Sequence, residues 1–172
     1  VNVGAGIGYY AVGSALTWPD ANVVAYEERE EAQTILNELA SVNGVSNQLD
    51  TKGFCDVDSL CSSLKDVGKC LVFMDVEGGE KELLNPTEIS RLKECFIVVE
   101  LHEFAVDGIG DIIRDRFKKS HRIEEVFTRH REIADFPLEI TDLSRSILKS
   151  NLLEFIDEKR KEPQSWIYLE PR

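Results

Sequence analysis

The sequence predicts an α/β fold, with a mostly parallel sheet, helices on both faces and an antiparallel edge strand. Short apolar runs alternate along the chain with segments of helical spacing, which is the pattern of strand-helix-strand units. Two runs, LVFMD at 71–75 and CFIVVEL at 95–101, are typical of central strands that are buried on both faces. The 172 residues, 42% of them apolar, are enough for one well-packed domain, so we expect a single domain over 1–172.

The first half of the chain alternates predicted strands with predicted helices. Ile35, Leu36 and Leu39 recur at helical spacing, and the Asn43-Gly44 pair after them is typical of a helix ending. Strands are predicted at 1–3, 23–26 and, from a weaker pattern, 46–51. Helices are predicted at 9–17, 29–41 and 56–64.

The second half continues the alternation. Besides the two central strands, the sequence predicts strands at 122–128 and 166–170. Helices are predicted at 86–93, 109–118 and 143–161. We expect the closing strand, helix and strand to add the antiparallel edge, and ligands to bind at the carboxyl ends of the parallel strands.

The charge of the chain excludes one class of partner by default. Lys and Arg number 20 against 32 Asp and Glu, a formal charge of −12 at pH 7. This charge repels phosphate backbones, so we expect no nucleic acid partner and instead a small-molecule or saccharide one. No apolar run approaches the roughly 18 residues of a membrane span, and none is predicted. The oligomeric state is not indicated by the sequence.

The cysteines and the first residue concern the expected cellular location of the protein and the expected extent of its N-terminus. The four cysteines include no CxxC pair, so we expect reduced and mostly buried thiols, which favour a cytoplasmic location. The chain begins inside a predicted strand. We therefore expect an N-terminal extension that this sequence lacks.

A glycine-rich turn follows the first strand in VNVGAGIGYY. Gly4, Gly6 and Gly8 would let the backbone approach a ligand, and the following helix N-terminus offers unpaired N–H groups. Glu27 closes the second strand about twenty residues later, where a carboxylate can accept both hydroxyl hydrogens of an adenosine ribose. Together these features indicate a nucleoside ligand.

Dinucleotide enzymes use the different spacing G-x-G-x-x-G/A. Counted from Gly4 and Gly6, the third small residue of that motif would fall on Tyr9, whose ring hinders close packing of a pyrophosphate. An NAD(P)-dependent oxidoreductase therefore stays as an alternative rather than the leading hypothesis.

The chain resembles the FkbM-type branch of S-adenosylmethionine-dependent methyltransferases in four stretches: VNVGAGIGYY, VVAYEE with the following ILNELASVNGV, LVFMDVEGGEKELL and FIVVELH. The resemblance runs from Val1 to about His102 and is most specific in DVEGGE. It implies a seven-stranded, Rossmann-like methyltransferase sheet that binds S-adenosylmethionine. It also implies O-directed methyl transfer to a small molecule or saccharide.

The resemblance implies a role for each residue that matches its motifs. Gly4, Gly6 and Gly8 would cradle the methionine part of the cofactor, Glu27 would hold the ribose, and Asp75 would lie near the donor methyl group. Phe54 and Cys55 would lie near the adenine. The further residues expected to contact the cofactor are Ala5, Tyr9 and Glu28.

Asn2 departs from the family pattern, which usually has Asp or Glu at this position. A carboxylate there would favour the cationic end of the cofactor, so we expect Asn2 to weaken binding or change its geometry. A non-catalytic Rossmann-like binding domain is therefore a further alternative.

Acidic residues and a histidine follow the two central strands. Asp75 and Glu77 follow the first and His102 follows the second, so we expect these three as the catalytic residues, with His102 as the candidate general base. Glu80 is expected to favour a helix N-terminus, and Glu103 to be solvated. Carboxylates and a histidine could suit a divalent cation, but no fixed ligand spacing such as HExxH is present, so no metal site is predicted.

Overall fold

The computed structural model describes residues 1–129, 131–136, 149–156 and 164–172. The described residues form a seven-stranded sheet. Its strands are β1 (Asn2–Val3), β2 (Val23–Tyr26), β3 (Leu49–Lys52), β4 (Leu71–Met74), β5 (Phe96–Leu101), β6 (His121–Phe127) and β7 (Ser165–Pro171). Their order in the sheet is β3-β2-β1-β4-β5-β7-β6, so β1 and β4 lie near its centre.

The sheet is mixed. β1 pairs in parallel with β2 and β4, β2 with β3, and β4 with β5. Next to β6 the chain runs antiparallel, because Arg172 N donates to Ser120 O over 3.0 Å and Thr128 N donates to Gln164 O over 2.8 Å. The start of β6 therefore lies beside the end of β7, and the two strands form the antiparallel edge with β6 outermost. The predicted α/β sheet is confirmed.

The helices lie between the strands in chain order. They are α1 (Tyr9–Thr17), α2 (Glu30–Val42), α3 (Val57–Leu64), α4 (Glu80–Leu83), α5 (Ile109–Phe117) and α6 (Lys149–Ile156). The bounds of α1 coincide with the prediction, and those of α2, α3 and α5 differ from it by one residue. Of the helix predicted at 143–161, the structure describes 149–156, which is helical; the rest lies outside the described residues.

The helix predicted at 86–93 is wrong. Oδ1 of Asn85 accepts hydrogen bonds from the N–H and hydroxyl of Thr87 at 3.1 and 2.7 Å, and its carbonyl oxygen accepts the N–H groups of Glu88 and Ile89 at 3.1 and 2.8 Å, so a single turn forms here. The chain instead forms α4 before this turn and a 3₁₀ helix, Ser90–Glu94, after it. Another 3₁₀ turn, Ser46–Gln48, delays the start of β3 to Leu49.

Two apolar clusters cover the two faces of the sheet. One contains the buried residues of α1 and α2, and the other contains those of α3 and α5. Within β2, Val23 and Ala25 belong to the first cluster, whereas Val24 and Tyr26 belong to the second. Side chains alternate across a strand, so the clusters lie on opposite faces, as predicted.

The described chain divides into two compact units. The first is Val1–Val126 with Trp166–Arg172, and it contains every residue of the candidate site below. The second is Phe127–Ser165, in which Arg129 and Asp135 form an ion pair of 2.6 Å. The single domain expected from chain length stays a prediction.

Two further expectations concern the surroundings of the protein. Among the helices that the structure describes, none has both the length and the apolar character needed to cross a membrane. The four cysteines are free thiols; Cys55 and Cys95 are buried, Cys70 is half-buried and Cys61 is exposed. Burial raises the pKa of the Cys55 thiol to about 12, so this thiol is neutral at physiological pH.

Two glycine substitutions should change stability in opposite directions. Gly4 has φ +75°, and a Cβ atom there would lie 1.8 Å from the carbonyl oxygen of Asp75, so Gly4→Ala should destabilise the fold by at least about 2 kcal/mol. Gly13 lies inside α1 with no atom within 4 Å of such a Cβ, so Gly13→Ala should stabilise it by about 0.5–1 kcal/mol. Urea denaturation of both variants measures the two effects. Equal midpoints would contradict the close approach at Gly4.

Candidate active site

A cavity of about 700 Å³ opens at the carboxyl ends of β1, β2, β3 and β4. Parallel strands end at the same edge of a sheet, so the loops that follow them meet there. Eight residues predicted from the sequence line this cavity: Gly4, Gly6, Glu27, Glu28, Phe54, Cys55, Asp75 and Glu77. Five others do not line it: Asn2, Ala5, Gly8, Tyr9 and His102.

The three glycines of the turn have different surroundings, so the structure favours glycine at each position for a different reason. Gly4 permits the end of β1 to approach the backbone of Asp75, and a Cβ on Gly8 would lie 2.8 Å from Cγ of Leu36 in α2. A Cβ on Gly6 would meet no atom within 4 Å, although its φ of +54° is left-handed. Gly6 is thus the glycine of the turn that leaves room on the cavity side.

Glu27 is held rigidly at the end of β2. Its Oε2 accepts the N–H of Gly6 at 2.8 Å, and its Oε1 accepts the backbone N–H and the Nε–H of Arg29 at 3.1 and 2.8 Å. Burial alone would raise the pKa of this carboxyl, but the hydrogen bonds from Arg29 and Gly6 outweigh it and lower the pKa overall. Glu27 is therefore an ionised acceptor on the cavity wall. Arg29, which sequence reasoning missed, also lines the cavity.

The loop after β3 supplies the apolar part of the wall. Phe54 is 72% exposed, and Cys55 beside it is buried and neutral. Asp56, the next residue, accepts the N–H of Ser59 at 2.8 Å and caps the N-terminus of α3, which anchors the loop. An aromatic ring beside a neutral thiol is a surface suited to a flat heterocycle.

The remaining residues of the glycine turn lie around the cavity rather than on it. Asn2 is buried, its Nδ2 is 3.5 Å from the carbonyl oxygen of Phe73, and its Oδ1 has no hydrogen-bond partner among the residues that the structure describes. Ala5 packs in the cluster below α1 and α2. Tyr9 is 76% exposed and stacks edge-on against Tyr10.

The DVEGGE segment buries a carboxylate that its sequence context does not suggest. Glu80 is the first residue of α4, as expected, but it is fully buried. Its Oε2 accepts the N–H of Gly78 at 3.0 Å, and its Oε1 lies 2.5 Å from Nδ1 of His102. Glu77 in the same segment is exposed and does not join this pair.

His102 lies between two carboxylates. Nδ1 faces Glu80, and Nε2 lies 3.5 Å from Oδ1 of Asp75. The hydrogen bond to Glu80 raises the pKa of His102, burial opposes this, and the charges of Glu80, Asp75 and Glu100 raise it further, so the pKa is raised overall. His102 is buried, whereas Asp75 is partly exposed and reaches the cavity. Asp75 and His102, two of the three residues expected to be catalytic, therefore lie next to each other.

Glu100, near the end of β5, belongs to the same cluster. Asp75, Glu100 and His102 each offer one ligand atom, and these atoms lie within 4.8 Å of one another. Glu103 lies outside it, because its carboxylate accepts the N–H groups of Gly108 and Gly110 at 2.8 and 2.9 Å at the start of α5. Glu103 is thus a helix cap rather than a merely solvated residue.

No protein-family model matches the chain, and no curated protein matches it. Solved structures do match. A precorrin-6y C5,15-methyltransferase from Geobacter metallireducens is 14% identical with a TM-score of 0.60, over 98% of this chain and 76% of that one. An O-methyltransferase from Streptomyces achromogenes, in complex with SAM, is 12% identical with a TM-score of 0.58, over 98% and 71%.

A third match is an O-methyltransferase from Bacillus cereus in complex with SAH, 12% identical with a TM-score of 0.58, over 98% of this chain and 72% of that one. At these identities the likeness concerns the fold. It confirms the Rossmann-like, seven-stranded sheet with which methyltransferases are built.

Loss of the Glu80 carboxylate should destabilise the protein. A glutamine at this position has one acceptor oxygen for two donors, Gly78 N–H and His102 Nδ1–H, so one buried donor loses its partner at a cost of about 1–3 kcal/mol. Glu80→Gln should lower the free energy of unfolding by this amount in urea denaturation. The matched control is Glu82→Gln, an exposed glutamate of the same helix, which should change it by less than about 0.5 kcal/mol. Equal stability of the two variants would contradict the buried pair.

Proposed function

We propose that this protein is an S-adenosylmethionine-dependent methyltransferase of the FkbM-type branch. The observation that carries the proposal is the bond between the glycine turn and the acidic residue after β2, in which Gly6 N–H donates to Oε2 of Glu27 at 2.8 Å on the cavity wall. This bond joins two features whose spacing indicates a nucleoside ligand.

The residues on the cavity wall fit such a cofactor. The cavity volume of about 700 Å³ is within the range of small-molecule sites, roughly 300–1,000 Å³. Glu27 is ionised, and its Oε2 accepts a single bond from Gly6, which leaves it capacity for a ribose hydroxyl. Phe54 and the neutral Cys55 offer an apolar wall for a purine ring.

The charge of the cavity favours a cationic cofactor over a dinucleotide. Of the described residues that line it, six are acidic (Glu27, Glu28, Asp56, Asp75, Glu77 and Glu82) and Arg29 is basic. A negative cavity attracts a sulfonium and repels the pyrophosphate of a nicotinamide dinucleotide. This balance argues against the oxidoreductase alternative.

The acceptor side of the site is assigned to the ends of β4 and β5. When bound, S-adenosylmethionine supplies a methyl group on a positively charged sulfur for in-line transfer to a nucleophile. Asp75 is the member of its cluster that lines the cavity, and its backbone is in contact with Gly4. Asp75 and Glu77 thus bring carboxylates to the wall on which a hydroxyl acceptor would lie, and His102 lies behind Asp75.

We assign an oxygen acceptor on a small molecule or saccharide. The family resemblance supports this choice, and two of the similar structures are O-methyltransferases by description. The net charge of −12 also disfavours a nucleic acid acceptor.

Calorimetric titration tests the cofactor assignment. S-adenosylmethionine should bind one to one, and Glu27→Ala should weaken it at least tenfold, because hydrogen bonds to a charged acceptor contribute about 1.5–3 kcal/mol each. The control is Glu31→Ala, an exposed glutamate of α2 outside the cavity lining, which should bind as the parent does. Circular dichroism checks that both variants are folded.

Two outcomes would overturn this proposal. Binding of NADH with no heat from S-adenosylmethionine would support the oxidoreductase instead. Cofactor binding without methyl transfer to any of a broad panel of hydroxylated metabolites and sugars would support a non-catalytic binding domain.

A further inference from the structure

We propose that Asp75, Glu100 and His102 form a binding site for a divalent transition-metal cation. Each residue offers one ligand atom, and the three atoms lie within 4.8 Å of one another. Ligand atoms around a cation with metal–ligand distances of about 2.0–2.2 Å lie roughly 3–4.5 Å apart. The 3.5 Å between Nε2 of His102 and Oδ1 of Asp75 is within that range.

The contact between His102 and Glu80 orients the imidazole ring of His102 for metal binding. Nδ1 lies 2.5 Å from Oε1 of Glu80, and we assign to this nitrogen the proton that is donated in the contact. In the neutral ring, Nε2 then presents a lone pair toward Oδ1 of Asp75, at a distance beyond an ordinary hydrogen bond of about 2.7–3.2 Å. Metal-binding histidines almost always donate their other N–H to a carboxylate or carbonyl in this way.

The charge of the cluster also favours a cation. Three carboxylates, those of Asp75, Glu80 and Glu100, surround a single imidazole, and Glu80 and Glu100 are buried. An imidazolium would offset only one of the three negative charges. A divalent cation bound by two of these carboxylates and the neutral imidazole would offset two of them in a region of low dielectric constant.

The site has a route to the cavity. Glu100 and His102 are 3% and 5% exposed, whereas the side chain of Asp75 is 35% exposed and lines the cavity wall. A cation bound by all three would therefore be covered on the side of β5 and face the cavity beside Asp75. Three protein ligands leave coordination positions for a further oxygen there.

The donor set selects the kind of metal. Two carboxylates and one imidazole suit Mn²⁺ or Zn²⁺ better than Ca²⁺, which takes six to eight oxygen ligands as a rule. If the hydroxyl of the acceptor occupies the open position, the cation lowers the pKa of that hydroxyl. This use of the site rests on the proposed methyl transfer, whereas cation binding itself does not.

Calorimetric titration of the chelator-treated protein with Mn²⁺ tests the site. The parent should bind one equivalent, and Asp75→Asn and Glu100→Gln should each weaken binding at least tenfold. Glu82→Gln removes a carboxylate that lines the same cavity but is outside the cluster, so it should bind Mn²⁺ as the parent does. Circular dichroism checks that each variant is folded. If Glu100→Gln is unfolded, Asp75→Asn decides the test, because the Asp75 side chain is partly exposed.

Two outcomes would overturn the cation site. One is absence of binding at millimolar Mn²⁺. The other is equal affinity in the parent, Asp75→Asn and Glu82→Gln, because the cation would then be attracted by the general charge of the cavity. Titration of the same samples with S-adenosylmethionine keeps the two proposals apart: cofactor binding without Mn²⁺ binding refutes the cation site alone, and the converse refutes the proposed function alone.

Discussion

The close approach of the ends of β1 and β4 is the constraint on which the site depends. These strands pair in parallel, with Val3 opposite Met74, so the glycine turn and Asp75 leave the sheet side by side. The N–H of Asp75 donates to Val3 O at 3.0 Å, and no side chain fits at Gly4 against the Asp75 carbonyl. The turn that would hold a nucleoside and Asp75, the member of the carboxylate cluster that reaches the cavity, therefore line one cavity.

Much of the fold could be predicted because its signals are local. The bounds of α1 are marked by Gly8 at one end and the turn at Pro19 and Asp20 at the other, and the buried strands are solid apolar runs. The segment predicted as a helix at 86–93 instead forms a turn that begins at Asn85, followed by a 3₁₀ helix, Ser90–Glu94. Apolar spacing alone does not distinguish this arrangement from an α-helix.

The site was harder to predict because its key contacts are distant in sequence. A glutamate at the start of a short helix is sufficiently explained by helix capping, so nothing in DVEGGE marks Glu80 as the partner of a residue 22 positions away. His102 was found, but only the packing of the turn after β4 against the end of β5 shows which carboxylates face it. The expectation of no metal site relied on fixed ligand spacing within one segment, whereas the residues of the proposed cation site come from two strand ends.

The two ends of the cavity differ in how the negative charge of their carboxylates is compensated. Around Glu27, the carboxylate is compensated by Arg29 and by the backbone of the glycine turn, so it is fixed as an acceptor whatever enters the cavity. Around Asp75, the protein instead gathers three carboxylates about one histidine, and the positive charge of that histidine depends on pH and on what else is bound. A ligand that brings its own positive charge, whether a sulfonium or a metal ion, would therefore be stabilised most at the Asp75 end. Under the proposed function, the neutral ribose hydroxyls would bind at the Glu27 end, which would give the cofactor a defined direction along the cavity.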